Sequence, residues 1–356
     1  MGKINVAVLF GGVSSEYEVS LISASSVMNN IPDDKYNVIP VGITKDGRWY
    51  LFSGEDMELV QSDNWCKDPY ITPAYISPDR SKKGLTVIKE SGEEVIPVDV
   101  VFPVLHGQNG EDGAIQGLFQ LADIPFVGCD MTSSAVSMDK IFTNTVADKN
   151  KIKQAKWVYT TKTDFNRDEF IKSVEEVCGY PCFIKPAVAG SSVGISKANN
   201  RDELIKGFDV AFNICNRILV EEGINGLEIE CAVLGNSNLI SSEVGQISPV
   251  SDFYDYEAKY ITGNTALYIP AKIEDSKKEE IKALSQKVFK VMGCKGLSRI
   301  DFFVDKKNGT VYFNELNTMP GFTSISMYPK LFAHSGIPYP ELLDRLITLG
   351  IEEKKN

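Results

Sequence analysis

The segment 297–326, LSRIDFFVDKKNGTVYFNELNTMPGFTSIS, gathers two carboxylates and an amide within a few residues of a turn. Its runs Leu297 to Val304 and Thr310 to Leu316 flank Lys306-Lys307-Asn308-Gly309 and read as a β-hairpin. Side chains alternate along a strand, so Arg299 and Asp301 share one face of the first run, and Val311, Phe313, Glu315 and Asn317 share one face of the second. Asp301, Glu315 and Asn317 then converge as a hard, oxygen-only donor set, which suits Mg²⁺ carrying nucleotide phosphates better than zinc. The plainer reading is a surface hairpin with solvated charges. Against it stand Ile300, Phe302, Phe303, Tyr312, Phe313 and Leu316, which would bury the hairpin beside its charges, and buried charges need partners.

Other chemistry-bearing residues sit where strands end. The apolar run Ile4 to Phe10 reads as a buried parallel strand, turned by Gly11-Gly12 into a helix starting near Glu18. Such a turn can offer backbone N–H groups to an anion, but GGVSSE is not GxGxxG and the chain has no GxxxxGK[ST], which disfavours a dinucleotide-binding or P-loop enzyme. Glu16 and Glu18 lie at this helix start, where a carboxylate also simply favours the helix dipole. A strand Val98 to Leu105 enters the glycine- and carboxylate-rich loop HGQNGEDG, where open α/β sheets carry ligands. Its His106 is equally readable as a structural or a functional residue; the other histidine, His334, lies in a helical pattern and reads as structural. Further on, the small, hydroxyl-bearing loop 189–194 follows a strand carrying Lys185, an arrangement that can fold over phosphates. Lys140 falls on a helix predicted from Ser133 to about Asn150.

A chain of 356 residues accommodates two or three domains. With 43% hydrophobic and 24% charged residues the composition is that of a soluble globular protein, and the net charge of −11 disfavours nucleic acid and anionic membranes as partners. No apolar run reaches membrane-spanning length, and the N-terminal run breaks at Gly11-Gly12, so neither signal peptide nor membrane helix is expected. Seven scattered cysteines without CxxC spacing read as reduced thiols of a cytoplasmic protein. Strands are expected at 37–43, 124–127, 157–161, 182–186, 194–198, 217–222, 228–234 and 239–247, and helices at 168–177, 201–215, 275–292 and 340–349. The polar stretch 53–92 yields no clear element.

GGVSSEYEVS, LHGQNGEDG, SMDK, FIKPAVAGSSVGIS, VEEGINGLEIECAVLG, DYEAKY, SRIDFF and NELNTMPGFTSIS occur in the order seen in D-alanine:D-alanine ligases. The chain resembles that family, within the ATP-grasp superfamily, from about residue 3 to 349. The resemblance implies an α/β and α+β fold of three domains: an N-terminal open parallel α/β substrate domain at 1–130, a central ATP-grasp subdomain at 131–222 and a C-terminal one with the metal site at 223–356. It implies ATP as cosubstrate between the last two, with Lys140 and Lys185 on phosphates, Gly190, Ser191 and Ser192 in the loop above them, and Glu221, Glu222 and Glu228 toward adenine and ribose. Asp301, Glu315 and Asn317 match the ligands of two Mg²⁺ (or Mn²⁺) ions. Glu16 would take the ammonium of the first D-amino acid, linked through Ser191 and Tyr260 to a closing loop at 252–260. Arg299 and the Gly321 N–H would face the tetrahedral oxyanion, Ser326 and Lys259 the second substrate and the transferring phosphate, and His106 the substrate.

Two positions depart from the usual pattern. Ile325 stands where the family has a polar residue, commonly histidine, and Tyr17 resembles variants associated with D-alanine:D-serine ligases of vancomycin-resistance clusters. EAKY at 257–260 instead resembles the peptide-forming ligases. D-Alanine is therefore the expected second substrate, D-serine the runner-up and D-lactate the last. The implied role is formation of D-alanyl-D-alanine for peptidoglycan and the cell wall, by a homodimer in the cytoplasm. An ATP-grasp ligase for other carboxylates and amines is the nearer rival; a nucleotide-binding regulatory protein is disfavoured by Arg299, Asp301, Glu315 and Asn317 together.

Overall fold

The computed structural model describes residues 2–67, 69–190, 193–248 and 266–353. Its described strands form three sheets. The first is seeded by β1 (Ile4–Gly11), whose residues Val6 to Phe10 are all fully buried, followed by α1 (Tyr17–Asn30) and β2 (Tyr36–Ile43). β1 runs parallel to β2, and on its other side to β7 (Val100–Pro103). The sheet continues antiparallel through β3 (Trp49–Phe52), β4 (Ile71–Ile76), β5 (Gly84–Lys89) and β6 (Gly92–Pro97), and the stretch 53–92 that sequence patterns left unplaced supplies β4, β5 and the short α2 (Glu58–Gln61). The sheet is thus parallel only over β2, β1 and β7. Residues 124–127 form no strand; only Phe126 bridges to Val101.

After α3 (Ala114–Ala122) the expected single helix is two, α4 (Met131–Met138) and α5 (Lys140–Lys149). Asp139 breaks the run: its backbone is extended (φ −88°, ψ 106°), and its carboxylate accepts from the N–H groups of Ile141 and Phe142 at 3.0 and 3.2 Å. This N-cap satisfies donors that a helix start otherwise leaves orphaned. It also sets Lys140 at the first position of α5.

The second sheet, antiparallel, has the order β10 (Ser196–Ala198), β9 (Cys182–Pro186), β11 (Arg217–Glu222), β8 (Trp157–Thr161). Alternating residues Ile184, Ile218 and Val220 face α6 (Arg167–Val177) and α7 (Arg201–Ile214), burying Phe170 and Phe208. The third comprises β12 (Gly226–Leu234), β13 (Ile240–Ser248), β14 (Ala266–Tyr268), β15 (Leu297–Asp305) and β16 (Val311–Asn317), in the order β14-β13-β12-β15-β16. Ile229, Cys231 and Val233 of β12 pack with Ile281, Val288 and Phe289 of α8 (Asp275–Val291). The opposite face of β12 carries Ala232 and Leu234 into a core shared with α9 (Met327–His334), α10 (Tyr339–Glu353), α1 and β1. The C-terminal helices therefore lock the third sheet onto the first.

Candidate active site

The hairpin forms as expected, but with one more residue than simple alternation allows. Arg299 pairs with Asn317 and Asp301 with Glu315, whereas Phe302 pairs with Phe313, so Asn314 is an extra residue in β16. This β-bulge reverses the parity of the strand. Val311 and Phe313 consequently join Ile300 and Phe302 in the core, while Glu315 and Asn317 turn to the face of Arg299 and Asp301. The expectation that Phe313 shares the Glu315 face is corrected by the bulge; the convergence of Asp301, Glu315 and Asn317 stands because of it.

On that face the Arg299 fork grips Asp301, Nε to Oδ1 at 2.8 Å and Nη2 to Oδ2 at 2.7 Å, and Nε lies 3.2 Å from Glu230. Burial opposes the guanidinium charge, but Asp301 and Glu230 more than offset it. Asn317 donates its NH₂ to Asp301 at 3.0 Å. Among the described residues no three His, Cys, Asp or Glu side chains could hold a metal by themselves. Two carboxylates and an amide oxygen still fit a hard divalent ion that keeps several positions for phosphate and water, which is how Mg²⁺ is usually held. A cation there would take the Asn317 oxygen in place of its NH₂.

Two adjoining cavities meet at this face, sharing Asn144, Glu230, Ile247, Arg299, Asn314 and Glu315. The larger, about 710 Å³, opens between the second and third sheets and is lined by Lys185, Glu221, Glu222, Glu228, Asp301 and Glu315. Lys185 on β9 and Glu315 on β16 thus face one space from different sheets. Lys185 pairs with Glu221 at 2.5 Å, and Asn144 donates to Glu221 at 3.0 Å. Burial opposes the Lys185 charge, yet Glu221 and Glu315 raise its pKa overall.

The smaller cavity, about 360 Å³, is lined by Glu16, His106, Lys140, Gly190, Arg299, Asn317, Gly321, Ile325 and Ser326 among others. Glu16, just ahead of α1, is 8% exposed and wedged between glycines: a Cβ on Gly107 would come 2.3 Å from its Oε2, and one on Gly190 3.1 Å. Gly107 also has φ +70°, a conformation that glycine adopts at least cost. Lys140 donates from Nζ to the Ala189 carbonyl at 2.7 Å. Burial, with Lys185 nearby, pushes its ammonium below the ordinary lysine range, against the pull of Glu315 and Glu221. Ser326 bonds Thr323 and leaves no room for a side chain at Gly321, where a Cβ would lie 2.6 Å from its Oγ.

His106 lines this cavity, but its ring nitrogens are taken by protein atoms: Nδ1 lies 3.1 Å from the Met319 carbonyl and Nε2 3.0 Å from Ser23 Oγ. Tyr17 lines neither cavity. It is buried in the first core, its hydroxyl donating to Asp63 at 2.8 Å and accepting from Trp65 at 3.1 Å. Ile325 does line the smaller cavity, half-exposed, with Ile247, Leu267 and Met327. His334 ends α9, away from both cavities. Ser191, Ser192, Lys259, Tyr260 and the loop 252–260 lie outside the described residues.

Sequence reading missed Glu230, whose place two residues beyond Glu228 on a buried strand was the available signal. It also missed Asn144, one turn after Lys140, and the buried Asp139, which pairs with Arg217 at the foot of α5. For that last pair no sequence signal existed.

Comparison with known proteins gives a consistent result. Residues 5–129 match the model of the D-ala D-ala ligase N-terminus, and residues 146–348 that of the D-ala D-ala ligase C-terminus. A D-alanine--D-alanine ligase of Caldicellulosiruptor bescii is 50% identical, over 100% of this chain and 97% of its own length. Among solved structures, the VanG D-Ala:D-Ser ligase of Enterococcus faecalis superposes with TM-score 0.89 at 42% identity, covering 98% of this chain and 100% of that one. The D-alanine-D-alanine ligase of Coxiella burnetii does so with TM-score 0.88 at 34% identity, covering 100% and 96%. The chain belongs to the D-alanine:D-alanine ligase family and has its ATP-grasp fold.

Proposed function

We propose that the protein joins two D-alanines, at the expense of ATP, to give D-alanyl-D-alanine for peptidoglycan synthesis in the cytoplasm. The observation that carries this reading is the meeting of two cavities at Arg299 and Glu315: one lined by lysines and carboxylates suited to a nucleotide, the other ending on the buried Glu16. A carboxylate is a poor acyl donor. In our reading the first D-alanine, its ammonium at Glu16, attacks the γ-phosphorus of ATP; an oxygen–phosphorus bond forms, the β–γ bridge breaks, and ADP leaves. The second amine then attacks the acyl carbon, loses a proton and expels inorganic phosphate.

Lys140, Lys185 and the loop at Gly190, Ser191 and Ser192 hold the phosphates, while Glu221, Glu222 and Glu228 hold adenine and ribose. Such transfers are accelerated by positioning and charge neutralisation, with no covalent nucleophile required. Asp301, Glu315 and Asn317 would hold two Mg²⁺ (or Mn²⁺) ions, which when bound neutralise phosphate charge. In this reading Arg299 and the Gly321 N–H serve the oxyanion, Ser326 and Lys259 the second substrate, and Ser191 and Tyr260 link Glu16 to the closing loop. We divide the chain into domains at 1–130, 131–222 and 223–356, a division supported by the three separate sheets, with α9 and α10 packing back on the first. Assembly as a homodimer is part of the proposal and is checked by light scattering.

Ile247, Leu267, Ile325 and Met327 give part of the smaller cavity an apolar wall, which supports D-alanine as second substrate. Because such a wall rejects an added hydroxyl by only about 10²-fold, D-serine remains the competitor to measure. The test is phosphate release from Mg-ATP with D-alanine, D-alanine plus D-serine, D-alanine plus D-lactate, and L-alanine, each product identified by mass. D-Alanine alone is expected to suffice. Release only with D-serine would overturn the choice of second substrate, and release only with L-alanine the reading itself.

A further inference from the structure

Helix α1 carries serines at 20, 23 and 26, one stripe of the helix at a spacing of three. Buried hydroxyls there add nothing to apolar packing and must find partners. Ser20 serves its own sheet, accepting from the Gly11 N–H at 2.9 Å. Ser23, fully buried, instead reaches across nearly the whole sequence: its Oγ accepts from the Phe322 N–H at 3.2 Å and lies 3.0 Å from His106 Nε2. His106 Nδ1 in turn meets the Met319 carbonyl at 3.1 Å. With the ring neutral, Nδ1–H donates to Met319, Nε2 accepts the Ser23 hydroxyl proton, and Ser23 accepts from Phe322, so every group is satisfied. Ser26 completes the stripe by donating to the Tyr339 hydroxyl at 3.3 Å, which donates to the Phe322 carbonyl at 3.1 Å.

The turn Met319-Pro320-Gly321-Phe322 is thereby held at both ends from α1 and the His106 loop, and between those ends lies Gly321, on the wall of the smaller cavity. We propose that Ser23 is a positioning residue for the reaction: its hydroxyl, bridging His106 and the Phe322 N–H, fixes the turn that aims the Gly321 N–H at the oxyanion formed on the reacting acyl carbon. The first sheet thus sets the geometry of the oxyanion wall without touching substrate. This inference rests on the reading that Arg299 and Gly321 form that wall. An oxyanion donor displaced by a fraction of an ångström loses much of its effect, since preorganised distance is what makes it effective.

The test compares Ser23→Ala, Ser23→Cys, Ser25→Ala and Arg299→Lys for kcat, KM for ATP and melting temperature. Ser25 is the control: it is buried on the same helix but donates to the Met57 carbonyl at 3.1 Å, away from the turn. Ser23→Cys fills the same space with a weak hydrogen-bonding group, so it retains packing should Ser23→Ala fail to fold. The expected result is a fall in kcat of about 10- to 100-fold for the Ser23 variants with KM for ATP within twofold, while Ser25→Ala loses melting temperature but not kcat. Equal kcat in the Ser23 and Ser25 variants, or a KM for ATP that moves with kcat, overturns the positioning role. If Arg299→Lys is also at full rate, the oxyanion wall itself is misassigned; if only Arg299→Lys is slow, the failure belongs to Ser23.

Discussion

Replacing Arg299 separates its grip on Asp301 from the oxyanion role proposed for it. Its Nε and Nη2 are committed to Asp301, at 2.8 and 2.7 Å, and Nε also lies 3.2 Å from Glu230; Nη1, with no hydrogen bond among the described residues, is the nitrogen we assign to the oxyanion. A lysine retains the charge, but its single nitrogen cannot both grip Asp301 and serve a developing oxyanion. Loss of one preorganised donor costs about 10²–10³ in kcat, or about 3–4 kcal/mol, so Arg299→Lys is expected to lose that much rate and little stability. Arg299→Met removes the charge as well, leaving two buried carboxylates without it, and should cost a further ~3–5 kcal/mol in folding stability. Steady-state kinetics with ATP and D-alanine varied separately, and urea denaturation of both variants, give the two numbers. A lysine variant with wild-type kcat would refute the assignment of Nη1, and a methionine variant as stable as wild type would refute the buried ion-pair argument.

Three further perturbations probe other parts of the site. Glu315→Gln should lower turnover by roughly 10²-fold or more and raise the Mg²⁺ concentration needed for half-maximal rate, with melting unchanged; an unaltered Mg²⁺ titration would remove Glu315 from the metal set. Gly107→Ala places a methyl 2.3 Å from Glu16 Oε2 at a φ of +70°, and is expected to raise KM for D-alanine while leaving KM for ATP alone, which initial-rate kinetics will show. Burial opposes protonation of His106, but Glu111 and Glu16 more than offset it and raise its pKa above the ordinary 6.5. A raised folded value means stability fully present below 6.5 and lost as pH rises through the folded pKa. The melting-temperature advantage of wild type over His106→Asn should therefore shrink with rising pH, and a constant difference would contradict the shift.

Parts of this molecule were written locally in the chain and parts were not. β9 and β11 announce themselves as short apolar runs bounded by turn residues, and their predicted limits coincide with the strands found. β6, GEEVIP, is exposed along most of its length and joins the sheet through backbone pairing with β5, so its side chains carry no burial signal. The break at Asp139 contains neither glycine nor proline; it exists because the carboxylate can cap α5 and meet Arg217, a residue far along the chain. At the hairpin the donor types were legible, but the bulge at Asn314 was not, since a one-residue insertion leaves composition untouched and reverses which face each residue serves. His106 was ambiguous for a related reason: the partners that occupy its nitrogens come from α1 and from residue 319.

The coupling of the two cavities through an acyl phosphate is tested most directly with D-alanine labelled with ¹⁸O in both carboxylate oxygens. If the first substrate's carboxylate attacks the γ-phosphorus, one labelled oxygen leaves with the phosphate in every turnover. Mass spectrometry should then find inorganic phosphate carrying one ¹⁸O and a dipeptide that has lost one. Unlabelled phosphate, with the displaced ¹⁸O recovered in water or another product, would show that no carboxyl–phosphorus bond to the γ-phosphate forms, and would contradict the account.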